Sequence, residues 1–223
     1  MSNMHCYFDE TKFKIDDNEY IGLAGVFLTD ENKSEIIQVL ETLKEELESD
    51  QFLGRRSKKK IFHFTDDSQE VQLRVIECLR AQNLRVYIAY KRYEGDYQNM
   101  YHQVITKILY DRFQKNHSNT FIVNYEENPE IKPTRLQSEL DKTTESIRTI
   151  KPEFPSPILN KVTKDEILSV LPDYFLGTFN QYHNTPRQDF KKRNFEKFRK
   201  KIRLIVDIDG GKFYHKHNPY IVE

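Results

Sequence analysis

The sequence has no tryptophan, two cysteines, seven glycines and eight prolines in 223 residues. So little glycine and proline argues against a long disordered linker. Cys6 and Cys78 lie in apolar stretches, which indicates buried thiols in a reducing compartment and not a disulfide framework or a metal knuckle. No apolar run reaches the roughly 18 residues that a membrane span needs, and the first residues lack the regions of a signal peptide. We therefore expect a soluble, cytoplasmic protein without membrane contact.

Several motifs that define large enzyme classes are also missing. The sequence contains no GxxxxGK(S/T) phosphate loop, no GxGxxG dinucleotide loop and no GxSxG nucleophile turn. Each of these motifs places backbone or side-chain groups that its chemistry needs. Their absence disfavours a nucleotide triphosphatase, a dinucleotide-dependent oxidoreductase and an α/β-hydrolase.

Charge of one sign is not in excess, because 35 basic residues balance 35 acidic ones. This balance excludes a globally basic nucleic-acid binder. The charges are nevertheless segregated: eight acids and two lysines lie within Asp30–Asp50, five cations within Arg55–Lys60, and nine cations with two acids within Arg187–Arg203. The two basic stretches predict phosphate contacts, although a solvated helix face is an equally good interpretation. The candidate nucleic-acid-binding residues are Arg55, Arg56, Lys58, Lys191, Lys192 and Arg193.

Apolar periodicity alternates between strands and helices along the whole chain, which predicts an α/β fold with a mixed sheet flanked by helices. We see no linker and predict a single domain over residues 1–223, with a basic helix and C-terminal extension over 187–223. The pattern predicts a first strand that stops at Asp9-Glu10. It predicts a short strand or an extended piece at Ile61–Phe64, followed by a helix capped at Thr65-Asp66. A last strand is expected at Ile158–Val162 and a last helix at about Gln188–Leu204.

Carboxylates mark the ends of several predicted elements. Asp9-Glu10 follows the first strand, Glu126-Glu127 follows a later strand, and Asp173 begins an apolar helix. A carboxylate beside an apolar core is costly unless it is paired or binds a cation, and oxygen ligands select Mg²⁺ or Mn²⁺. Such ions activate water for phosphodiester cleavage. The alternative is that each acid only caps or terminates its element.

Histidines offer two further candidates. His63 lies between aromatic residues just after the first basic stretch, so it either moves a proton and orients a substrate or is an ordinary satisfied histidine. His215 and His217 lie near Asp207 and Asp209 and could bind a transition metal. A solvated strand near the chain end is the alternative for this second group.

Three of these segments, taken in order, resemble one family. Tyr7-Phe8-Asp9-Glu10-Thr11 is similar to the Y-(I/V)-D-E-S-G opening of the domain-of-unknown-function 3800 family. Ile61–Phe64 resembles its short histidine motif, and Leu168–Gly177 resembles its late I-Q-L-A-D-(L/Y)-(V/I)-A-G helix. The chain departs from these motifs where Thr11 and Lys12 replace Ser-Gly and where Pro172 replaces alanine.

The resemblance implies a ribonuclease H-like fold and a metal-dependent nuclease. Asp9 would be the central Mg²⁺ or Mn²⁺ ligand, Asp173 the ligand on the helix, and Glu126 or Glu127 the middle carboxylate. Glu10 would complete the acidic pair, and His63 and Lys12 would support the site. The partner would be a nucleic acid of unspecified type, and a protein partner or homo-oligomer is compatible with the sequence. The alternative function is a non-catalytic nucleic-acid-binding or protein-interaction module on this fold, serving as a defence-system component.

Overall fold

A computed structural model describes residues 2–51, 62–116, 118–163, 165–184 and 189–221, with side chains throughout except at 184 and 189–191. Seven strands and six α-helices are present in these ranges. The strands are β1 (Asn3–Ile15), β2 (Asn18–Thr29), β3 (Arg85–Arg92), β4 (Thr120–Glu126), β5 (Ile158–Val162), β6 (Ile202–Asp207) and β7 (Lys212–Tyr214). The helices are α1 (Asp30–Ser49), α2 (Gln69–Ala81), α3 (Tyr97–Lys115), α4 (Pro133–Arg148), α5 (Val170–Asn184) and α6 (Asp189–Phe198).

The described strands form one mixed sheet in the order β5-β4-β1-β2-β3-β6-β7. β1, β2 and β3 are an antiparallel meander, while β4 runs parallel to β1 and β5 runs parallel to β4. On the other side β6 is parallel to β3 and β7 is antiparallel to β6. This arrangement confirms the predicted α/β class with a mixed sheet flanked by helices.

Side chains of β1 alternate between two apolar layers, as the period of a strand requires. Tyr7 and Phe13 pack in the layer that also contains the buried residues of α1, α2, α5 and α6. Cys6 and Phe8 pack in the opposite layer with α3 and α4. Burial on both faces explains why the early strand reads as an unbroken apolar run.

Within the described ranges, no helix is long and apolar enough to cross a lipid bilayer.

The prediction that the first strand stops at Asp9-Glu10 is wrong. β1 continues to Ile15 because β2 pairs with it over its full length, from Met4↔Thr29 to Ile15↔Asn18. The two acids therefore lie in the middle of a long hairpin.

Three other boundaries also differ from the prediction. Phe62 and His63 form no strand and lead into a turn, because their backbones pair with no neighbouring strand. The side chain of Ser68, and not that of Thr65 or Asp66, caps the following helix by accepting from the Val71 backbone N–H. The last helix ends at Phe198 and the chain then enters β6. The cations that suggested one long basic helix thus belong to a helix and to an added sheet strand.

Candidate active site

A cavity opens where β1 loses one of its two neighbouring strands. β4 accompanies β1 only as far as the pair Phe8↔Tyr125 and ends at Glu126. Beyond that point β1 is paired with β2 alone, so the sheet has a notch on the β4 side. A cavity of about 630 Å³ lies there, between the notch, the loop before α2 and the start of α5.

The structure brings the predicted site residues together at this cavity. The first strand, the end of β4, the loop before α2 and the first turn of α5 each contribute to its wall. These segments are far apart in the sequence, and the sheet topology is what makes them neighbours. The six predicted catalytic residues that line the cavity are Asp9, Glu10, His63, Glu126, Glu127 and Asp173.

Three of the carboxylates share one face of the sheet. Asp9 lies on the same face of β1 as Tyr7 and Phe13, which pack in the layer that contains α5. Asp173 lies in the first turn of that helix. Tyr125 packs in the opposite layer, so alternation puts the next residue, Glu126, on the face of Asp9. An acid in a first helical turn also interacts favourably with the helix dipole. The fold therefore concentrates negative charge on one side of the notch.

The pKa of Asp9 is raised by its burial and by the neighbouring carboxylates. Burial raises the pKa of the Asp9 carboxyl well above its ordinary value, and the carboxylate of Glu10 raises it further. Asp173 and Glu126 add to the rise, while the Glu10 backbone N–H, which donates to Asp9 Oδ1 at 2.9 Å, opposes it. Like charges disfavour ionisation of a partly buried acid. Asp9 is therefore the carboxylate whose ionised form a cation would stabilise most.

Asp173 is perturbed in the same direction by a different set of neighbours. Burial raises the pKa of Asp173 to about 6. The Phe64 backbone N–H donates to Asp173 Oδ2 at 2.7 Å and lowers the pKa, as does the nearby His63. Asp67 and Glu126 raise it. The Asp173 carboxylate thus connects the first turn of α5 to the loop before α2.

That loop is held against α5 by polar contacts and by one aromatic ring. The Gln72 side-chain amide donates to the Phe64 carbonyl at 2.6 Å, and the ring of Phe64 meets that of Tyr174 edge-on at 5.2 Å. The Tyr174 hydroxyl donates to Asp67. His63 is about half exposed, and its Nδ1 lies 2.9 Å from the Thr65 hydroxyl oxygen. These contacts fix His63 at the mouth of the cavity.

Gly177 makes the close contact between Phe64 and α5 possible. A Cβ at this position would lie 2.2 Å from Phe64 Cδ1, so an alanine would force the loop away from the helix. This gives a steric reason for the glycine in the late helix motif.

We expect Gly177→Ala to destabilise the fold by about 1–3 kcal/mol, because the added methyl group overpacks the Phe64 ring. The measurement is urea unfolding of both proteins. In a Phe64→Ala background the clash is absent, and the better helix propensity of alanine should make Gly177→Ala stabilising by about 1 kcal/mol. A destabilising effect of equal size in both backgrounds would disprove the steric explanation.

Glu10 approaches the cavity from the opposite face of β1. Its Oε1 accepts hydrogen bonds from the Tyr97 hydroxyl at 2.8 Å and from the Asn128 side-chain amide at 2.6 Å. Lys12, the next residue on that face, places its Nζ 3.9 Å from the ring centroid of Tyr93 and is not among the residues that line the cavity. Glu10 is therefore oriented by α3 and the loop after β4, and Lys12 rests on an aromatic ring.

The two glutamates at the end of β4 have different surroundings. Glu127 is exposed and forms an ion pair of 2.7 Å with Lys161 of β5. Glu126 lies on the Asp9 face and acts electrostatically on both Asp9 and Asp173. The structure thus distinguishes Glu126 from Glu127 as the middle carboxylate, a choice that the sequence left open.

Of the six predicted basic contacts, the structure describes the side chains of Lys192 and Arg193 alone. Arg55, Arg56 and Lys58 lie outside the described residues, as does the side chain of Lys191. Lys192 is partly buried and Arg193 is exposed on α6. Neither side chain lines the cavity of Asp9.

The acids of the tail have structural partners and do not converge on the tail histidines. Asp207 Oδ1 accepts from the Gly210 backbone N–H at 3.0 Å. Asp209 forms an ion pair of 2.8 Å with Lys91. The rings of His215 and His217 are 6.1 Å apart and exposed. Both acids therefore stabilise the turn between β6 and β7.

Sequence reasoning missed three polar residues of the site: Asp67, Asn128 and Ser169. Asp67 interacts with Asp173, Asn128 holds Glu10, and Ser169 Oγ is a buried cavity-lining atom without a hydrogen-bond partner among the described residues. Asn128 could have been found because it directly follows the acidic pair. Nothing in the local sequence distinguishes the other two from ordinary loop residues.

The donor set suits a hard divalent cation. The carboxylates of Asp9, Glu126 and Asp173 supply only oxygen, which is what Mg²⁺ and Mn²⁺ prefer. In the part of the chain that the structure describes, no group of three His, Cys, Asp or Glu side chains is arranged to hold a metal ion. Mg²⁺ typically uses one or two carboxylates and keeps several waters, so a compact three-residue group is not required. The chemistry of these residues therefore fits such an ion.

Comparison with solved structures shows a remote similarity to an archaeal protein chain. A chain of the PCNA:RNase HII complex from Archaeoglobus fulgidus is similar with a TM-score of 0.43 and 14% sequence identity, over 87% of this chain and 79% of that chain. No family model and no curated protein matches the sequence. This similarity is too remote to carry an argument about function. The sheet itself is mixed and flanked by helices, as the sequence predicted.

Proposed function

We propose that the protein is a divalent-metal-dependent nuclease of the ribonuclease H-like class and a member of the domain-of-unknown-function 3800 family. The observation that carries the proposal is the convergence of Asp9, Glu126 and Asp173 on one face of the notch. Burial is the main cause of the raised pKa values of Asp9 and Asp173, and repulsion from Glu126 adds to both. A cation relieves that repulsion, and a nucleic-acid substrate has the phosphodiester that such a cation activates.

In this proposal Asp9 is the central ligand and Asp173 and Glu126 flank it. The Phe64 N–H holds one oxygen of Asp173, which leaves the other oxygen for an ion. Glu10, fixed by Tyr97 and Asn128, keeps negative charge beside Asp9 and raises its affinity for a cation. When bound, Mg²⁺ or Mn²⁺ supplies Lewis acidity and a more acidic water.

His63 is the proposed proton carrier. Its side chain is half exposed at the cavity mouth, and the Thr65 hydroxyl fixes the orientation of the imidazole ring. An imidazole can both accept and donate a proton, and from such a position it can exchange that proton with solvent. The buried carboxylates hold the cation while the exposed histidine moves the proton.

Glu126→Gln and Glu127→Gln form a matched pair that tests the assignment of the middle carboxylate. We expect Glu126→Gln to lower Mg²⁺- or Mn²⁺-dependent cleavage by about a hundredfold or more, because the loss of a metal ligand exceeds the 10–100-fold effect of residues that only support ligands. Glu127→Gln removes a surface ion pair and should leave the rate within about twofold. The measurement is cleavage of labelled single- and double-stranded DNA and RNA, with EDTA as the metal-free control. Equal losses in the two variants would contradict the assignment.

The rival function, a non-catalytic nucleic-acid-binding or protein-interaction module, predicts different results in the same assay. It predicts salt-sensitive binding of nucleic acid and no cleavage with either metal ion. Cleavage that disappears in EDTA excludes the rival.

A further inference from the structure

A basic groove crosses the edge of the sheet formed by β6 and β7. One cavity, of about 500 Å³, is lined by residues of α6, β6 and the chain end, and a second, of about 480 Å³, lies over the start of β3 and the end of α3. Arg203 and His215 line both cavities, so these two side chains lie between them. We define the basic groove as these two cavities together.

Among the described residues, no aspartate or glutamate lines the basic groove. Exposed cations of the groove that form no hydrogen bond or ion pair with the described residues are Arg85, Lys200, Arg203 and Lys216. The other cations of the groove have acidic partners: Arg112 and Lys115 share Asp111, and Arg199 pairs with Glu196. The groove therefore has a surplus of positive charge that the described part of the chain does not compensate.

The local strand geometry directs one of these cations into the groove. β3 and β6 pair as Val86↔Ile202 and then Tyr87↔Leu204, so Arg203 is the extra residue of a bulge. A bulge re-aims the side chain of the residue that it inserts. Arg203 thus stands where the two cavities meet.

The floor of the larger cavity is apolar. Phe195, Ile205 and Tyr220 are buried there, and Tyr214 is partly exposed above them. The ring of Tyr214 meets that of Tyr220 edge-on at 4.7 Å, which holds it upright. A ligand with a flat apolar group could pack on the apolar floor, and a negative charge next to that group could pair with the cations of the rim.

We propose that the basic groove binds single-stranded nucleic acid, with phosphates on Arg85, Arg203 and Lys216 and an unstacked base in the apolar recess. Cations interleaved with aromatic side chains are the recurrent solution for binding a single strand. A duplex keeps its bases stacked inside, so it has nothing to place in the recess. An acidic peptide would match the rim but offers no flat base for the floor.

The basic groove is distinct from the cavity of Asp9. Asp9 is opposite Ala24, Ala24 is opposite Ile88, and Ile88 is opposite Ile205. Three strand spacings of about 4.8 Å put Asp9 and Ile205 roughly 14 Å apart. The inference therefore does not rest on the proposed cleavage chemistry, and it can be tested without a metal ion.

The test is fluorescence anisotropy with a labelled mixed-sequence DNA or RNA single strand in EDTA. The variant Arg203→Gln/Lys216→Gln removes two charges from the groove, and Lys14→Gln/Lys33→Gln removes two charges elsewhere. We expect the groove variant to bind about tenfold more weakly and its log–log salt slope to fall by about 1.4, because each single-strand phosphate contact contributes about 0.7. The control should keep both values. The assay contains no metal ion, which separates this inference from the proposed nuclease function.

Three results would overturn the inference. The first is equal weakening of binding in the groove variant and the control. The second is tighter binding of the corresponding duplex than of the single strand. The third is displacement of the strand by polyglutamate at an equal concentration of negative charge, which would identify an acidic protein as the partner.

Discussion

Asp9→Asn is expected to abolish metal-dependent cleavage while making the metal-free protein more stable. Asparagine keeps the shape of the side chain but removes the charge that burial, Glu10, Asp173 and Glu126 all disfavour. Relief of that repulsion should raise the free energy of unfolding by about 1–3 kcal/mol in EDTA. Cleavage should fall by more than about a hundredfold, since a central ligand is lost. Urea unfolding and a cleavage assay on the same preparation measure the two effects.

Asp17→Asn is the matched control for this prediction. Asp17 is exposed in the turn that joins β1 to β2, so the same chemical change should alter neither stability nor cleavage appreciably. If Asp9→Asn instead destabilised the protein, the Asp9 carboxylate would stabilise the fold, and repulsion from its neighbours would not be the dominant effect. Retained cleavage in Asp9→Asn would remove Asp9 from the active site.

The second large effect is a dependence of stability on pH that Asp173 causes. Its pKa is about 6 in the folded protein and 3.8 ordinarily, so the folded state holds the proton more tightly. Stability from this group is therefore present below about pH 4 and is lost as the pH rises through 6. We expect Asp173→Asn to match the wild-type protein near pH 4 and to exceed it by about 2–3 kcal/mol at pH 7. Urea unfolding in EDTA at several pH values measures this difference.

Asp30→Asn provides a control of opposite sign. A hydrogen bond with His5 lowers the pKa of Asp30, so its carboxylate favours the folded state once ionised. The Asp30→Asn variant should lose stability relative to the wild type as the pH rises from acid to neutral. If Asp173→Asn behaved like Asp30→Asn, the Asp173 carboxylate would be stabilising and the crowding argument would fail.

Much of the fold could be predicted from the sequence because apolar periodicity reports burial directly. The alternation of strands and helices and the apolar runs of β1 and β4 give the α/β class. The end of the first strand was misplaced because Asp9-Glu10 resembles a polar terminus, and only the pairing with β2 shows that the strand continues. β6 was hidden because the run of cations that begins in α6 continues to Arg203, and only the pairing with β3 shows that a strand begins at Ile202.

The candidate site was predicted as a set of residue types, but its geometry was not. The order Asp9, Glu126 or Glu127, and Asp173 suggested convergence, and the cavity brings these residues together. The difference between Glu126 and Glu127 depends on which face of β4 each side chain occupies and on the presence of Lys161. The support for the loop before α2 depends on the fit of Phe64 over Gly177. Both are tertiary contacts that local sequence does not encode.

Calorimetric titration with Mn²⁺ at pH 7 tests the central claim most directly. Burial and neighbouring carboxylates raise the pKa of Asp9, so protons compete with a cation for this side chain and the affinity for Mn²⁺ should rise with pH. We predict saturable binding in the wild-type protein and in Asp17→Asn, and loss of that binding in Asp9→Asn. Binding of equal strength in Asp9→Asn, or none in the wild-type protein, would contradict the proposed metal site.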